Sequence, residues 1–291
     1  MPKLKKPTTA TKQITDDVKE VIEDIERENY AVPDCNIVLD ENGVSEDIEM
    51  LAGYIDADGV LHKTFAIREM NGKDEEFINN PTLKQNGGKQ VTALLSRCVV
   101  RIGTLEKKDY RNNPKEWEKI IRSLYIGDQD FILLQIRKLS LGNEIECEHQ
   151  CPDCKAKITS FVDVDELEIL PFLGEREIPF ELPRGYTDSR GTSYKTGVIR
   201  LATGEDREMF VPVAKKNASK ANTLMLAHLC KFDNGVNTVS PDLIGNLVAK
   251  DRKYLFDLMN ENAFGVKTST SLTCPECGEE FVGSLSMVNF M

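Results

Sequence analysis

The sequence has no long hydrophobic run, few histidines and no excess of positive charge. No apolar stretch approaches the roughly 18 residues that a membrane-spanning helix needs, so we expect no membrane segment. None of the three histidines, His62, His149 and His228, stands in a pattern with serine and aspartate that indicates a nucleophile relay. A formal net charge of −11 gives no overall field that attracts nucleic acid or anionic lipid. The sequence therefore favours none of these function classes.

The amino-acid composition is that of an ordinary globular protein, and the chain has eight cysteines. Hydrophobic residues make up 40% of the 291 positions and charged residues 29%, which predicts a folded protein with a substantial core. Residues 1–6 lead into polar sequence rather than a signal-peptide core, so we expect the chain to stay in the cytoplasm. Four cysteines form two Cys-Pro-x-Cys pairs, Cys151 with Cys154 and Cys274 with Cys277. In a reducing compartment, pairs with this tight spacing indicate metal binding rather than disulfides.

The chain also contains an internal repeat. Adding 132 to the residue numbers from Gly53 to Glu76 gives eleven identities in 24 positions, where about one or two are expected by chance. The same offset aligns Cys98 with Cys230. After a connector that is nine residues shorter in the second copy, the offset becomes 123, and both cysteine pairs coincide. We interpret the repeat as a tandem duplication of a first segment, residues 49–165, in a second segment, residues 182–291.

Each copy is predicted to contain the same elements in the same order. A hairpin with its turn at Asp58-Gly59 comes first. A helix with an apolar face from Val91 to Ile102 follows, and a second helix, from about Asp128 to Leu139, is apolar nearly all round. Strands then flank each cysteine pair. The predicted fold class is α+β, with duplicated units related by a pseudo-twofold axis and joined by one zinc ribbon.

Two further regions lie outside the copies. Residues 1–48 form an N-terminal extension that includes an acidic amphipathic helix, residues 15–28. This helix is expected either to cover the core of its own protein or to dock on a partner. Residues 166–181 contain Pro171, Gly174 and Pro179 and are predicted to link the copies.

The two cysteine pairs predict one structural zinc site. Zinc takes about four ligands in a tetrahedron, and each pair supplies two thiolates. Since the pairs occupy equivalent positions, a pseudo-twofold arrangement would bring the four sulfurs of Cys151, Cys154, Cys274 and Cys277 together. Four thiolates leave no open position for water, so we expect a structural rather than a catalytic zinc.

Other cysteine and histidine residues are weaker candidates. Cys147 and His149 lie near the first pair, but their counterparts in the second copy are Thr270 and Leu272, so a symmetric site uses neither. Cys98 and Cys230 are predicted to be small core residues on apolar helical faces. The acidic runs 74–76 and 163–166 are interpreted as solvated helix starts and loops rather than as a catalytic acid pair.

Three runs of sequence carry a family resemblance. The runs Ile67–Glu76, Ala93–Cys98 and Gly127–Glu144, followed by the first cysteine pair, resemble the baseplate hub-assembly family of contractile-tailed phages and related contractile injection systems. The resemblance implies a non-enzymatic protein that assembles with other tail proteins in the host cytoplasm or stays in the virion. It also suggests that Arg68 pairs with Asp74, and Arg200 with Asp206, at the corner between strand and helix.

The alternative function is a zinc-ribbon module that binds nucleic acid. Its support is Lys155 and Lys157 beside the first cysteine pair. Glu279 and Glu280, which follow the second pair, would repel phosphate and argue against it.

Overall fold

The computed structural model describes residues 37–236 and 238–285. The predicted amphipathic helix at residues 15–28 lies outside the described residues. As far as residue 170, the elements in chain order are β1 (Ile48–Ile55), β2 (Leu61–Ile67), α1 (Gly72–Ile78), α2 (Pro81–Lys84), α3 (Gly87–Cys98), β3 (Val99–Ile102), β4 (Leu105–Glu106), a 3₁₀ helix (Lys107–Tyr110), α4 (Pro114–Ser123), α5 (Ile126–Leu141), β5 (Glu144–Gln150), β6 (Lys157–Asp163), a second 3₁₀ helix (Val164–Glu166) and β7 (Ile169–Leu170). The remaining elements are β8 (Glu177–Thr187), β9 (Ser193–Arg200), α6 (Gly204–Ala214), α7 (Ala218–Leu229), β10 (Cys230–Phe232), α8 (Pro241–Asn246), α9 (Ala249–Glu261), β11 (Gly265–Val266), β12 (Ser269–Thr273) and β13 (Glu280–Ser284).

The strands form small antiparallel sheets, and helices pack against them. One sheet has the order β1-β2-β3-β4, and another has the order β10-β9-β8. Three two-stranded sheets pair β5 with β6, β7 with β11, and β12 with β13. This mixed architecture confirms the predicted α+β class.

A side-chain hydrogen-bond pattern forms the turn of each leading hairpin. The carboxylate of Asp56 accepts the backbone N–H groups of the residues two and four positions later, at 3.0 and 2.9 Å. Asp188 does the same in the second segment, at 2.9 Å in both cases. Gly59 and Gly191 then take positive φ angles of 81° and 84°, which glycine adopts without steric cost. The hairpin predicted around Asp58-Gly59 is therefore confirmed.

A buried aspartate in the first turn of each long helix holds the hairpin in place. Asp128 accepts the backbone N–H groups of Ala52 and Gly53 in β1, at 3.0 and 3.1 Å. Asp251 makes the same pair of contacts in β8, at 2.9 Å each. The strand bends at Gly53, whose φ is +78° and where a Cβ would lie 2.7 Å from the carbonyl oxygen of His62. These aspartates fix helix and hairpin relative to each other.

The predicted ion pairs at the strand-to-helix corners are present. Arg68 binds Asp74 with both terminal nitrogens, at 2.7 and 3.1 Å, and Arg200 binds Asp206 at 2.7 and 2.9 Å. Arg97 adds a third contact to Asp74, at 2.6 Å. Burial raises the pKa of Asp74, but hydrogen bonds to the cationic side chains and to backbone N–H outweigh it and lower that pKa well below its usual range. The prediction that Asp74 is solvated is wrong, because its side chain is 0% exposed.

The first predicted helix is shorter than its apolar pattern indicated. It ends at Cys98, and Val99 and Ile102 lie instead in β3, paired with Ile67 and Phe65 of β2. A short strand of β-branched residues buries the same apolar side chains while satisfying the backbone hydrogen bonds of the sheet. The apolar pattern of the four residues Val99–Ile102 fits a further helical turn as well as a strand, so the sequence could not distinguish the two.

Cys230 differs from its prediction for a related reason. It caps helix α7 and begins β10 instead of lying on a helix face. Its N–H donates to the carbonyl of Leu226, as the N–H of Val99 donates to that of Leu95. The structural counterpart of Cys230 is thus Val99, because the second segment is one residue shorter before this helix.

Helix α5 forms the centre of the first segment. Phe131, Ile132, Leu134 and Ile136 are each no more than 2% exposed, as the all-round apolar pattern predicted. The Phe131 ring packs edge-on against Phe65 of β2, with ring centroids 6.2 Å apart. The sheet and this helix therefore share one core.

The two segments also pack on each other. Glu208 of α6 accepts a hydrogen bond from Thr92 of α3 at 2.6 Å and one from Arg122 of α4 at 3.2 Å, and its carbonyl accepts from Asn86 at 2.8 Å. The predicted linker, residues 166–181, contains β7 and the start of β8. The described residues accordingly belong to one compact unit.

Candidate metal centre

The first knuckle, residues 151–154, forms the tip of the β5–β6 hairpin. The last strand pair below it joins Gln150 to Lys157. The N–H of Cys151 donates to the carbonyl of Ala156 at 2.9 Å, and the N–H of Lys155 donates to the carbonyl of Cys151 at 3.2 Å. Lys155 has a φ of +63°, the only positive value among the described residues other than glycine. The tight turn directs both cysteine side chains of the knuckle to one side.

The second knuckle, residues 274–277, has the same backbone pattern at the tip of β12–β13. The N–H of Cys274 donates to the carbonyl of Glu279 at 2.8 Å, and the N–H of Gly278 donates to the carbonyl of Cys274 at 2.9 Å. Gly278, with a φ of +75°, occupies the position that Lys155 holds in the first knuckle. The required left-handed conformation suits glycine and strains lysine.

The four sulfurs of the two knuckles lie together. Cys151 Sγ is 3.7 Å from Cys277 Sγ, and Cys154 Sγ is 3.6 Å from Cys274 Sγ. All four lie within 4.8 Å of one another. A disulfide would need about 2.05 Å, whereas four sulfurs at about 2.3 Å from one zinc ion would lie about 3.8 Å apart. The separations and the donor set therefore fit one tetrahedral metal ion.

The cluster is half buried. Cys151 and Cys274, the first cysteine of each knuckle, are 0% and 1% exposed, and Cys154 and Cys277 are exposed. Desolvation raises the pKa of the Cys274 thiol, but hydrogen bonds from the backbone N–H groups of Cys277 and Glu276 outweigh it and lower that pKa to about 7. These hydrogen bonds thus favour a thiolate at Cys274, which is the form that binds a metal. Backbone hydrogen bonds also lower the pKa of Cys277 and of Cys154, but desolvation and the neighbouring thiols outweigh them, so that the pKa of Cys277 is raised to about 12 and that of Cys154 is raised as well.

The neighbouring candidates lie outside this cluster. Among the described residues, the group able to hold a metal contains neither Cys147 nor His149. Cys147 is buried in β5, and the His149 ring lies 3.1 Å from the Ser160 hydroxyl. Burial raises the pKa of Cys98 to about 11 and that of Cys230 to about 12, so both thiols stay protonated.

The other two histidines have structural contacts. His62 Nε2 lies 2.9 Å from Asp56, the turn residue of the first hairpin. His228 lies 3.2 Å from Asp206 at the second corner. Within residues 37–236 and 238–285, no helix combines the length and apolarity that crossing a membrane requires.

Sequence reasoning missed two kinds of residue. The repeat aligned Asp128 with Asp251 but indicated no role, since their hydrogen-bond partners lie 75 and 66 residues away at Gly53 and Gly185. It also missed the positive φ of Lys155, for which Gly278 in the equivalent position was the available signal.

Comparison with known protein families finds a match over part of the chain. Residues 62–188 match the family described as T4 bacteriophage base plate protein. No curated protein and no solved structure matches the chain significantly. The match confirms the predicted resemblance to phage baseplate proteins over this part of the chain. It includes the first knuckle and ends before the second.

Proposed function

Because residues 62–188 match phage baseplate proteins, we propose that this chain is a non-enzymatic structural or assembly protein of a contractile-tail baseplate, in its hub region. The family match is the observation that carries the proposal. Its partners are then other tail or baseplate proteins. It meets them in the host cytoplasm during assembly and can remain in the virion.

We further propose that the four cysteines hold one structural zinc ion. The support is the sulfur geometry, together with a set of four thiolates that leaves no coordination position for water or substrate. Bound zinc would supply cross-linking, not chemistry. Cys154 and Cys274, whose sulfurs would bind the same ion, are 120 residues apart in sequence. The ion would therefore cross-link the two segments.

The two knuckle hairpins explain why such a cross-link is useful. Each is a two-stranded sheet, β5–β6 or β12–β13. An isolated two-stranded hairpin is marginally stable in water. A shared ion would hold both hairpins against each other and present them as a rigid surface to neighbouring proteins.

We also propose that the segments arose by tandem duplication and are related by a pseudo-twofold axis. Three paired contacts support this proposal: the hairpin turns at Asp56 and Asp188, the helix anchors at Asp128 and Asp251, and the knuckle turns. The equal roles of the knuckles at a single sulfur cluster follow naturally from such symmetry.

Tail assembly in a phage that encodes this chain tests the proposed function. A deletion should abolish infectious particles and leave tails without complete baseplates, and a tagged chain should copurify with tail proteins before or after assembly. Normal particles from the deletion strain would refute the proposal. A variant with serine at Cys151 and Cys274 distinguishes the zinc proposal, since it should lower zinc content and assembly together.

A further inference from the structure

A basic cleft lies on the first segment, away from the knuckles. Its volume is about 1240 Å³, and its walls come from α3, α4 and the 3₁₀ helix Lys107–Tyr110. None of the four clustered cysteines lines it. The cleft is large enough to receive part of a polypeptide.

The charge of the cleft is opposite to that of the whole chain. Seven lysine and arginine residues line it against four aspartate and glutamate residues, although the net charge of the chain is −11. Lys89, Lys108 and Arg111 are exposed, and none has an acidic partner within 4.0 Å among the described residues. These three cations are available to a ligand.

Two polar atoms of lining residues also lack a hydrogen-bond partner in the described part of the chain. They are the indole N–H of Trp117 and the hydroxyl of Ser96. Trp117 is only 2% exposed and packs against the Tyr110 ring, with centroids 5.5 Å apart. Buried tryptophan N–H groups usually find an acceptor. Because both atoms are buried, a ligand rich in oxygen acceptors would pair with the three exposed cations and not directly with these two donors.

The second segment shows that the fold does not need this cleft. Lys220 in α7 occupies the position that Lys89 holds in α3. Ile244 occupies the position of Trp117, since each lies three residues after the proline that begins its helix. A smaller depression of about 720 Å³ lies there, and the described residues between β10 and α8, 233–236 and 238–240, form no 3₁₀ helix. Lys108, Arg111 and the tryptophan are thus additions to a framework that packs without them.

We propose that this cleft binds an acidic segment of a partner protein, with an apolar side chain of the partner against the aromatic wall. Phe77, which is 45% exposed, and Tyr110 supply that wall. Carboxylates of a short peptide can pair with the three cations inside the cleft, although the remainder of the chain is acidic. A nucleic acid would bring a longer run of negative charge toward it. That the partner is a baseplate protein rests on the proposed function, but the binding itself does not.

Selection from a displayed library of random peptides against the full-length protein tests the proposal. The peptides that are recovered should be enriched in Asp and Glu and contain Phe, Leu or Trp. Their affinity, measured by fluorescence anisotropy, should fall about tenfold or more in the double variant Lys108→Glu/Arg111→Glu. The affinity of the wild-type protein for the same peptides should also fall as the salt concentration is raised.

Lys220→Glu is the matched control, because it reverses a cation in the equivalent depression of the second segment. It should leave peptide affinity unchanged. If the double glutamate variant fails to fold, Lys108→Ala/Arg111→Ala replaces it, with an expected loss of about threefold or more. Peptides without acidic enrichment, equal binding to the charge variants, or tighter binding of labelled single-stranded DNA than of the peptides would each overturn the proposal. The phage deletion experiment has no bearing on this outcome.

Discussion

The dependence of folding stability on free zinc gives a quantitative test of the shared site. An ion that binds the folded chain and not the unfolded chain stabilises it by RT ln(1 + [Zn]/Kd). Each tenfold rise in free zinc above Kd therefore adds about 1.4 kcal/mol per bound ion to the free energy of unfolding. The sulfur cluster provides one site per chain, so the expected slope is that of a single ion.

Urea unfolding in metal-buffered solutions measures this slope. Circular dichroism should report the transition at several free zinc concentrations, and a chelator should set the lower limit. At a hundredfold excess over Kd, the protein should be about 2.7 kcal/mol more stable than without zinc. A chain with serine at Cys154 and Cys277 should show a flat response.

Two results would refute the reasoning. A slope of about 2.7 kcal/mol per tenfold change would indicate two ions, one for each knuckle. No dependence in the wild-type protein would show that the cluster holds no metal, or that the hairpins contribute nothing to the stability of the whole.

Further predictions concern the corner ion pairs and the knuckle turns. Asp74→Asn should cost about 2–4 kcal/mol in urea unfolding, because it leaves Arg68 and Arg97 without their shared partner; a loss below about 1 kcal/mol would contradict this. The pKa of Asp74 is lower in the folded protein than its ordinary 3.8, so the stabilisation by the Asp74 carboxylate is present above about pH 4 and lost as pH falls further. Plots of stability against pH for wild type and Asp74→Asn should therefore converge in acid. Parallel plots would argue against this role of Asp74. Gly278→Ala should destabilise the zinc-bound protein by about 1 kcal/mol through its positive φ alone, since no atom of the described residues lies within 4 Å of the added Cβ. Lys155→Gly should instead be neutral or stabilising by up to about 1 kcal/mol. Thermal melts showing the reverse order would exclude this explanation.

The parts of the fold that the sequence predicted depend on local chemistry. The turn at Asp56 needs only a carboxylate and a glycine three residues later. The apolar residues on every face of helix α5 predict that it is buried. The meeting of the knuckles followed from their equivalent positions in a repeat, although they are far apart in sequence.

What the sequence did not predict depends on long-range contacts. Helix α3 ends at Cys98 because the following residues join a strand whose own sequence lies 32 residues earlier, at Ile67. The role of Asp128 requires two backbone N–H groups in a bent strand, which side-chain patterns do not specify. The cleft had one sequence signal, the longer connector before Trp117, but its basic character appears only when three elements come together.

The central claim is that one ion is held by cysteines from both segments, and native mass spectrometry tests it most directly. We predict one zinc per wild-type chain and none when either knuckle is removed alone, by Cys151→Ser/Cys154→Ser or by Cys274→Ser/Cys277→Ser. If either double variant keeps its zinc at the wild-type stoichiometry, the two knuckles do not share an ion, and the account is wrong.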